Sequence, residues 1–282
     1  MNLYKNALSV AALATGAVLL SLTSPRTVRA LGEQVICGLP TPGSSVDGVQ
    51  LIDHAKVLER GGYPYQIKEA GSYRLSGNLV VSSGANAIHI TVSNVTLDLN
   101  GFTISGPGSS AISGGSAPIT AVSIRNGTIS GLGTGVDLGN CTGCSIQQMI
   151  IENGPNGINV GPGALVSSNL ITGVTQGFVL GNGIVTGVYS TIVGNTVTAS
   201  TYGIQAASNS TVSGNTVSNS YSVAINVGIY STVSANTATN SNTGILANCP
   251  ANLLGNTALA NAFGNISYSS GSGCNSVNNL AP

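Results

Sequence analysis

One short phrase recurs along most of the chain and constrains the fold more than any other feature. Val95-Thr-Leu-Asp-Leu-Asn-Gly-Phe-Thr-Ile104, Val122-Ser-Ile-Arg-Asn-Gly-Thr-Ile129, Ile192-Val-Gly-Asn-Thr-Val197, Val212-Ser-Gly-Asn-Thr-Val217 and Val233-Ser-Ala-Asn-Thr-Ala238 are versions of it. Aligned apolar positions Ile104, Ile129, Ile151, Ile171, Val197, Val217, Ala238 and Ala258 follow one another at intervals of 20 to 26 residues. A second ladder keeps the same beat through Ile88, Ile112, Val136, Ile158, Phe178, Ile204, Ile225, Ile245 and Ile266. Repetition at such a period signals a solenoid, in which each repeat buries its apolar face only against its neighbours.

Within a repeat, short stretches alternate apolar and small polar residues, the period-two pattern of strands with one buried face. Gly, Asn and Ser interrupt them every few residues, so each repeat reads as three short strands and three turns, one rung of a parallel β-helix. Leucine-rich repeats share the length but need a Leu-x-x-Leu-x-Leu frame that is absent. Nine rungs make a stack of roughly 40 Å. Asn169, Asn195, Asn215, Asn236 and Asn256 each stand two residues before an inward residue of the first ladder. Asn tolerates left-handed backbone, and its amide can bond its counterparts above and below, which predicts a structural stack at one corner.

The Asn-bearing corner and the rung spacing resemble the right-handed parallel β-helix proteins of the pectin-lyase-like superfamily, over about residues 75 to 270. The segment from Gly71-Ser-Tyr-Arg-Leu-Ser-Gly-Asn78 through Ile88-His-Ile90 to Ile104 is similar to the opening of secreted bacterial β-helix repeat proteins without an assigned activity. The resemblance implies an all-β, right-handed parallel β-helix. It does not choose among the lyases, hydrolases, epimerases and non-enzymes that share the fold.

Residues 1–30 read as a secretory signal. Lys5 precedes the uncharged stretch Ala7 to Ser24, and Val28-Arg29-Ala30 suits signal peptidase. The stretch is long enough for a membrane anchor, but its five Ser and Thr argue against that role. Residues 31–74 are expected to form an N-terminal segment and cap, residues 75–270 the β-helix, and residues 271–282 a C-terminal tail or cap. Within the first of these, Asp47 to Arg60 carries Val49, Ile52, Ala55 and Leu58 at near-helical spacing and predicts a capping helix that ends at Gly61-Gly62. Export permits disulfides among Cys37, Cys141, Cys144, Cys249 and Cys274, an odd number. Cys249 and Cys274 are one repeat apart and suit a bridge between neighbouring rungs; Cys141 and Cys144 suit a local turn disulfide or two inert thiols.

Charge narrows the function. Only eight Lys and Arg occur in the chain, too few for a phosphate-binding face, so nucleic acid is not expected as a partner. After Glu152, no Asp, Glu, Lys, Arg or His occurs in the remaining 130 residues. General acid–base catalysis and calcium cages have no groups there. If the chain is a polysaccharide lyase, hydrolase or epimerase, its groups are His89, Asp137, Asp98 and Arg125. Asp98 and Arg125 fall on adjacent rungs, near-diagonal, and read as a surface ion pair. His89 and Asp137 each follow an inward residue of the second ladder, so both point outward, two rungs apart.

The same outward row continues through Ser113, Asn159, Gln205 and Asn226, with Tyr202 and Tyr221 just before it on successive rungs. Amides flanked by aromatic rings can bond sugar hydroxyls while the rings cover apolar sugar faces. Asn159, Gln205, Asn226, Tyr202 and Tyr221 are therefore the candidate binding residues. The reading is an exported, monomeric β-helix without metal or organic cofactor. It is expected to have no stable membrane span after signal cleavage and to work in the periplasm, outside the cell or at its surface. Its role is glycan-binding or structural, with an extracellular or cell-envelope polysaccharide as partner.

Overall fold

The structure, a computed structural model, describes residues 48–173, 175–176, 179–269 and 271–282. The expected signal segment, Cys37, Asp47 and Phe178 lie outside the described residues. The chain winds into a parallel β-solenoid with three faces. One face is a ten-stranded sheet running from Tyr65–Ile67 through Ile88–Ile90, Ser110–Gly114 and Thr134–Leu138 to Gly264–Tyr268. The other two merge into a single 18-stranded sheet, because Val122–Ser130 and Ser145–Glu152 run unbroken through the corner between them. Every ladder pairing is parallel; a short antiparallel hairpin, Thr175–Gln176 with Val179–Leu180, leaves the solenoid.

Both apolar ladders line the interior, as strand alternation requires. The first is in register from Leu79 through Ile104, Ile129, Ile151, Ile171, Val197, Val217 and Ala238 to Ala258. In the second, Ile184 pairs with both Ile158 and Ile204, so the rung assigned to Phe178 belongs to Ile184. The Gly-Phe-Val and Gly-Ile-Val triplets are alike in pattern, but Val179 pairs with Gln176 in the hairpin, whereas Ile184 pairs in the stack. Tyr65 opens this ladder against Ile88, which makes about ten turns where nine were expected.

The N-terminal cap differs from expectation in its first half. Val49–Ile52 is a strand in register with Ser72–Leu75, and α1 spans only His54–Glu59. Asp53, not Asp47, caps it, accepting from the Lys56 backbone N–H at 2.8 Å. The near-helical spacing of Val49 and Ile52 yields to a neighbouring strand edge that satisfies their backbone groups.

Each turn has three corners, and each corner carries a column of left-handed backbone. The column before the first ladder is Asn126, Gln148, Ser168, Gly194, Gly214, Ala235, Gly255 and Asn278. The ladder Asn residues follow these positions by one. They are thus kept for their amides and not for a left-handed backbone. Asn169, Asn195, Asn215, Asn236 and Asn256 are almost wholly buried. Each donates Nδ2 to the next Oδ1 at 2.8 to 3.0 Å, and Asn279 extends the ladder by one rung. The same Oδ1 atoms accept the preceding Asn backbone N–H, so each buried polar group finds a partner. Cys249 pairs with Cys274, and Cys141 with Cys144.

Candidate functional site

The ten-stranded sheet has an unusual strand rhythm that shapes its outer face. In Asn156–Val160, Asn182–Thr186, Tyr202–Ala206 and Thr243–Ala247 the second, third and fifth residues are buried, and the first and fourth face outward. The second position is filled by Ala111, Gly135, Gly157, Gly183, Gly203, Ala224 and Gly244. A Cβ at Gly135 would lie 2.7 Å from the Gly157 carbonyl oxygen and 2.8 Å from Ile151 Cγ2. This column of small residues exists for space. It pulls the backbone inward and leaves a furrow between the two outward columns.

The fourth-position row runs Gln66, His89, Ser113, Asp137, Asn159, Val185, Gln205, Asn226, Leu246 and Ser267. His89 and Asp137 are therefore two strands apart with Ser113 between them. His89 Nδ1 lies 2.9 Å from Ser113 Oγ, which also accepts from Asn86 Nδ2 at 3.0 Å. Ser113 Oγ also donates to the Ile88 carbonyl at 3.4 Å, so it ties the imidazole to its own strand neighbour. Asp137 accepts from Asn159 Nδ2 at 2.9 Å. The imidazole and the carboxylate are engaged with row neighbours and not with each other.

Two shallow grooves follow this row. One, of about 330 Å³, is lined by Thr134, Asn156 and Asn182 on one side and Asp137, Asn159 and Val185 on the other. The next, of about 410 Å³, runs from Val185 past Gln205 and Asn226 to Asn248. They meet at Val185, the row member displaced from sequence view by the Phe178 misalignment. Asn226 Oδ1 is buried there without a hydrogen-bond donor from the described residues, and so is Thr186 Oγ1. Gln205 has no side-chain partner among the described residues either.

Tyr202 and Tyr221 do not share a column. Tyr202 pairs with Asn182 and Val223 and faces outward at the furrow, whereas the Tyr221 backbone bonds Ser200 at the preceding corner. The extra residue pair between Tyr221 and the strand that follows it makes this shift. Asp98 and Arg125 are directly opposite, not diagonal, and form a 3.3 Å ion pair on the 18-stranded sheet. Asn126 Nδ2 and the Asn100 backbone N–H also donate to Asp98. The four titratable candidates thus divide into two pairs on different faces.

Sequence reasoning passed over the N-terminal end, where Arg60, Lys68, Glu69, Gln66, Gln50 and Tyr73 line a recess of about 290 Å³. Burial raises the phenols of Tyr65 and Tyr73 above their ordinary value, and the Arg60 guanidinium sits 5.2 Å over the Tyr65 ring. The charged residues crowded near α1 carried the signal, but no motif gave them a role.

Soft metal donors are few. The chain has two His: His54 bonds Tyr63 OH at 3.2 Å, and His89 is held by Ser113. Met149 is buried in the core, and four Cys are paired. Among the described residues, no three His, Cys, Asp or Glu stand together. No helix among them is long and apolar enough to cross a membrane.

The sequence has no match among curated proteins. Among solved structures, it is similar to the Dettilon tailspike protein gp208, with TM-score 0.52 and 13% identity over 82% of this chain. The match spans 60% of the tailspike's own length. The mannuronan C-5 epimerase AlgE4 A-module of Azotobacter vinelandii matches at TM-score 0.40 and 13% identity, over 74% of this chain and 72% of that one. The tailspike likeness, at this identity, speaks to fold alone, a parallel β-helix. A family model described as periplasmic copper-binding protein (NosD) matches residues 93–279, well over half of the sequence, and the chain therefore belongs to the NosD family of periplasmic β-helix proteins.

Proposed function

We propose that this chain is a non-catalytic, glycan-binding β-solenoid of the periplasm or cell surface, and that the outward face of the ten-stranded sheet is its binding face. The carrying observation is the pair of grooves that meet at Val185. They run along the stack over the turns from Thr134 to Asn226, a track of roughly 19 Å lined by amides and hydroxyls. A linear polyhydroxyl chain matches such a track in shape and in hydrogen-bonding character. Asn159 and Asn226 line it directly, Gln205 offers an unengaged amide, and Tyr202 stands at its edge.

The family description names copper, and the described residues of this chain do not fit a resident copper ion. Copper takes imidazole, thiolate or thioether groups gathered at one point. Here the two imidazoles stand on successive turns but on different elements, and each is hydrogen-bonded within the protein. No three His, Cys, Asp or Glu stand together among the described residues, the Met149 thioether is in the core, and the described cysteines are bridged. Catalysis on polysaccharide is disfavoured because His89 and Asp137 lie on a different face from Asp98 and Arg125.

A glycan-array screen of the full-length chain, with reducing-end and unsaturated-uronate assays on every hit, tests this reading. The expected result is retention of one glycan class without product. Gln205→Ala should then weaken affinity about fivefold, the loss of one hydrogen bond of about 1 kcal/mol. Product that disappears in His89→Ala or Asp137→Ala would replace the reading with catalysis. Silence across the array would leave a structural spacer.

A further inference from the structure

The left-handed corner columns hold Gly, Asn, Ala, Ser and one Gln, with two exceptions, Tyr189 and Tyr230. Both tyrosines belong to the column that follows the ten-stranded sheet, where Gly163, Tyr189, Asn209 and Tyr230 occupy successive turns. Tyr189 and Tyr230 have φ of 61°, and Asn209 between them has φ of 59°. Left-handed backbone brings the Cβ of a bulky L residue too close to the following carbonyl oxygen and is strained. Asn209 shows that the same corner forms without that strain.

Neither ring returns anything visible to the fold. Tyr189 is 68% exposed and Tyr230 64%, and neither side chain has a hydrogen bond or ring contact among the described residues. Val188 and Ser208, which line the second groove, immediately precede Tyr189 and Asn209, and Gly228 lies two residues before Tyr230. The tyrosine column is thus the rim of that groove.

We infer that Tyr189 and Tyr230 form a stacking ridge for an uncharged, β-1,4-linked glycan lying along the stack, with the Asn209 amide between them. The inference rests on the glycan reading above and names its substrate class. Spacing carries the linkage. The two tyrosines are two turns apart, roughly 9.6 Å. In a β-1,4-linked chain each sugar is turned over relative to the last, so the same apolar face returns once per disaccharide, a period of the same length. An α-1,4-linked chain coils and presents no such flat repeat. Charge carries the rest. No Lys or Arg follows Arg125, so a uronate or sulfated chain would meet no counter-charge on these turns.

Calorimetric titration of the full-length chain with cellohexaose and chitohexaose tests this, with maltohexaose and hexamannuronate as α-linked and charged controls. We expect at least one of the two neutral β-1,4 hexasaccharides to bind and both controls to fail; the two arms distinguish glucose from N-acetylglucosamine chains. Tyr189→Asn and Tyr230→Asn should each lower affinity about tenfold or more while leaving the melting temperature unchanged or higher, because Asn is what the neighbouring turn uses. A structural role would instead lower the melting temperature and spare affinity, overturning the inference. Equal binding of either control would also overturn it. If a glycan binds with sensitivity to Gln205→Ala but not to the tyrosine variants, the groove stands and the ridge falls. If no glycan binds, both fall.

Discussion

One corner of the solenoid is built in two ways along the same molecule. In the early turns the position is held by Phe102, Gly127 and Met149, with Leu99 packed so closely that a Cβ on Gly127 would collide with it. From Asn169 onward the same position holds an amide on every turn to Asn279. The two constructions meet where the Met149 backbone N–H donates to Asn169 Oδ1 at 2.9 Å. An apolar corner is stabilised by area removed from water and tolerates substitutions that conserve volume. An amide ladder is stabilised only while every member is present, since each group left buried without a partner costs about 1 to 3 kcal/mol.

The sharpest break of this comparison is Asn215→Ala. It removes the acceptor for the Asn195 backbone N–H and Nδ2, at 2.9 and 3.0 Å, and the donor to the Ile192 carbonyl. Urea unfolding should show a loss of about 3 kcal/mol or more. Met149→Leu in the apolar half should stay within about 1.5 kcal/mol. Equal costs would mean that the two corners are not different in kind. A smaller effect should follow from Gly203→Ala in the small-residue column, whose Cβ would run into Val217 and the Ala224 carbonyl oxygen. Overpacking there should cost about 1 to 3 kcal/mol. Smallest of all is Arg125→Ala. Its partner Asp98 keeps the Asn126 and Asn100 donors, and with Arg125 itself half-exposed, urea unfolding should show a loss below about 1 kcal/mol.

The ladders were legible because a solenoid writes its interior as a period, and aliphatic residues that recur at one phase can only be stacked. Legibility failed where two triplets fitted the same phase. Gly-Phe-Val and Gly-Ile-Val are six residues apart, and nothing local tells that Ile184 belongs to the stack while Val179 belongs to the short hairpin before it. That slip hid Val185 from the outward row, although His89, Ser113, Asp137, Asn159, Gln205 and Asn226 were placed on it. Tyr202 and Tyr221 were aligned by their distance from the strand, a measure that fails when a corner gains residues. The glycine column went unread because glycine suggests turns, whereas here it serves the close approach of backbone to side chain. The strain at Tyr189 and Tyr230 has no sequence signature at all, since a left-handed corner is visible only as a dihedral angle.

The charge-free stretch after Glu152 has a consequence for how the molecule meets a changing environment. The stretch carries no Asp, Glu, Lys, Arg or His, and its two cysteines are bridged. No ion pair is present there for salt to weaken. Salt therefore has only the early turns on which to act, through the Lys56–Glu59 and Asp98–Arg125 ion pairs. The amide-laddered turns, held by neutral groups alone, give added salt nothing to weaken.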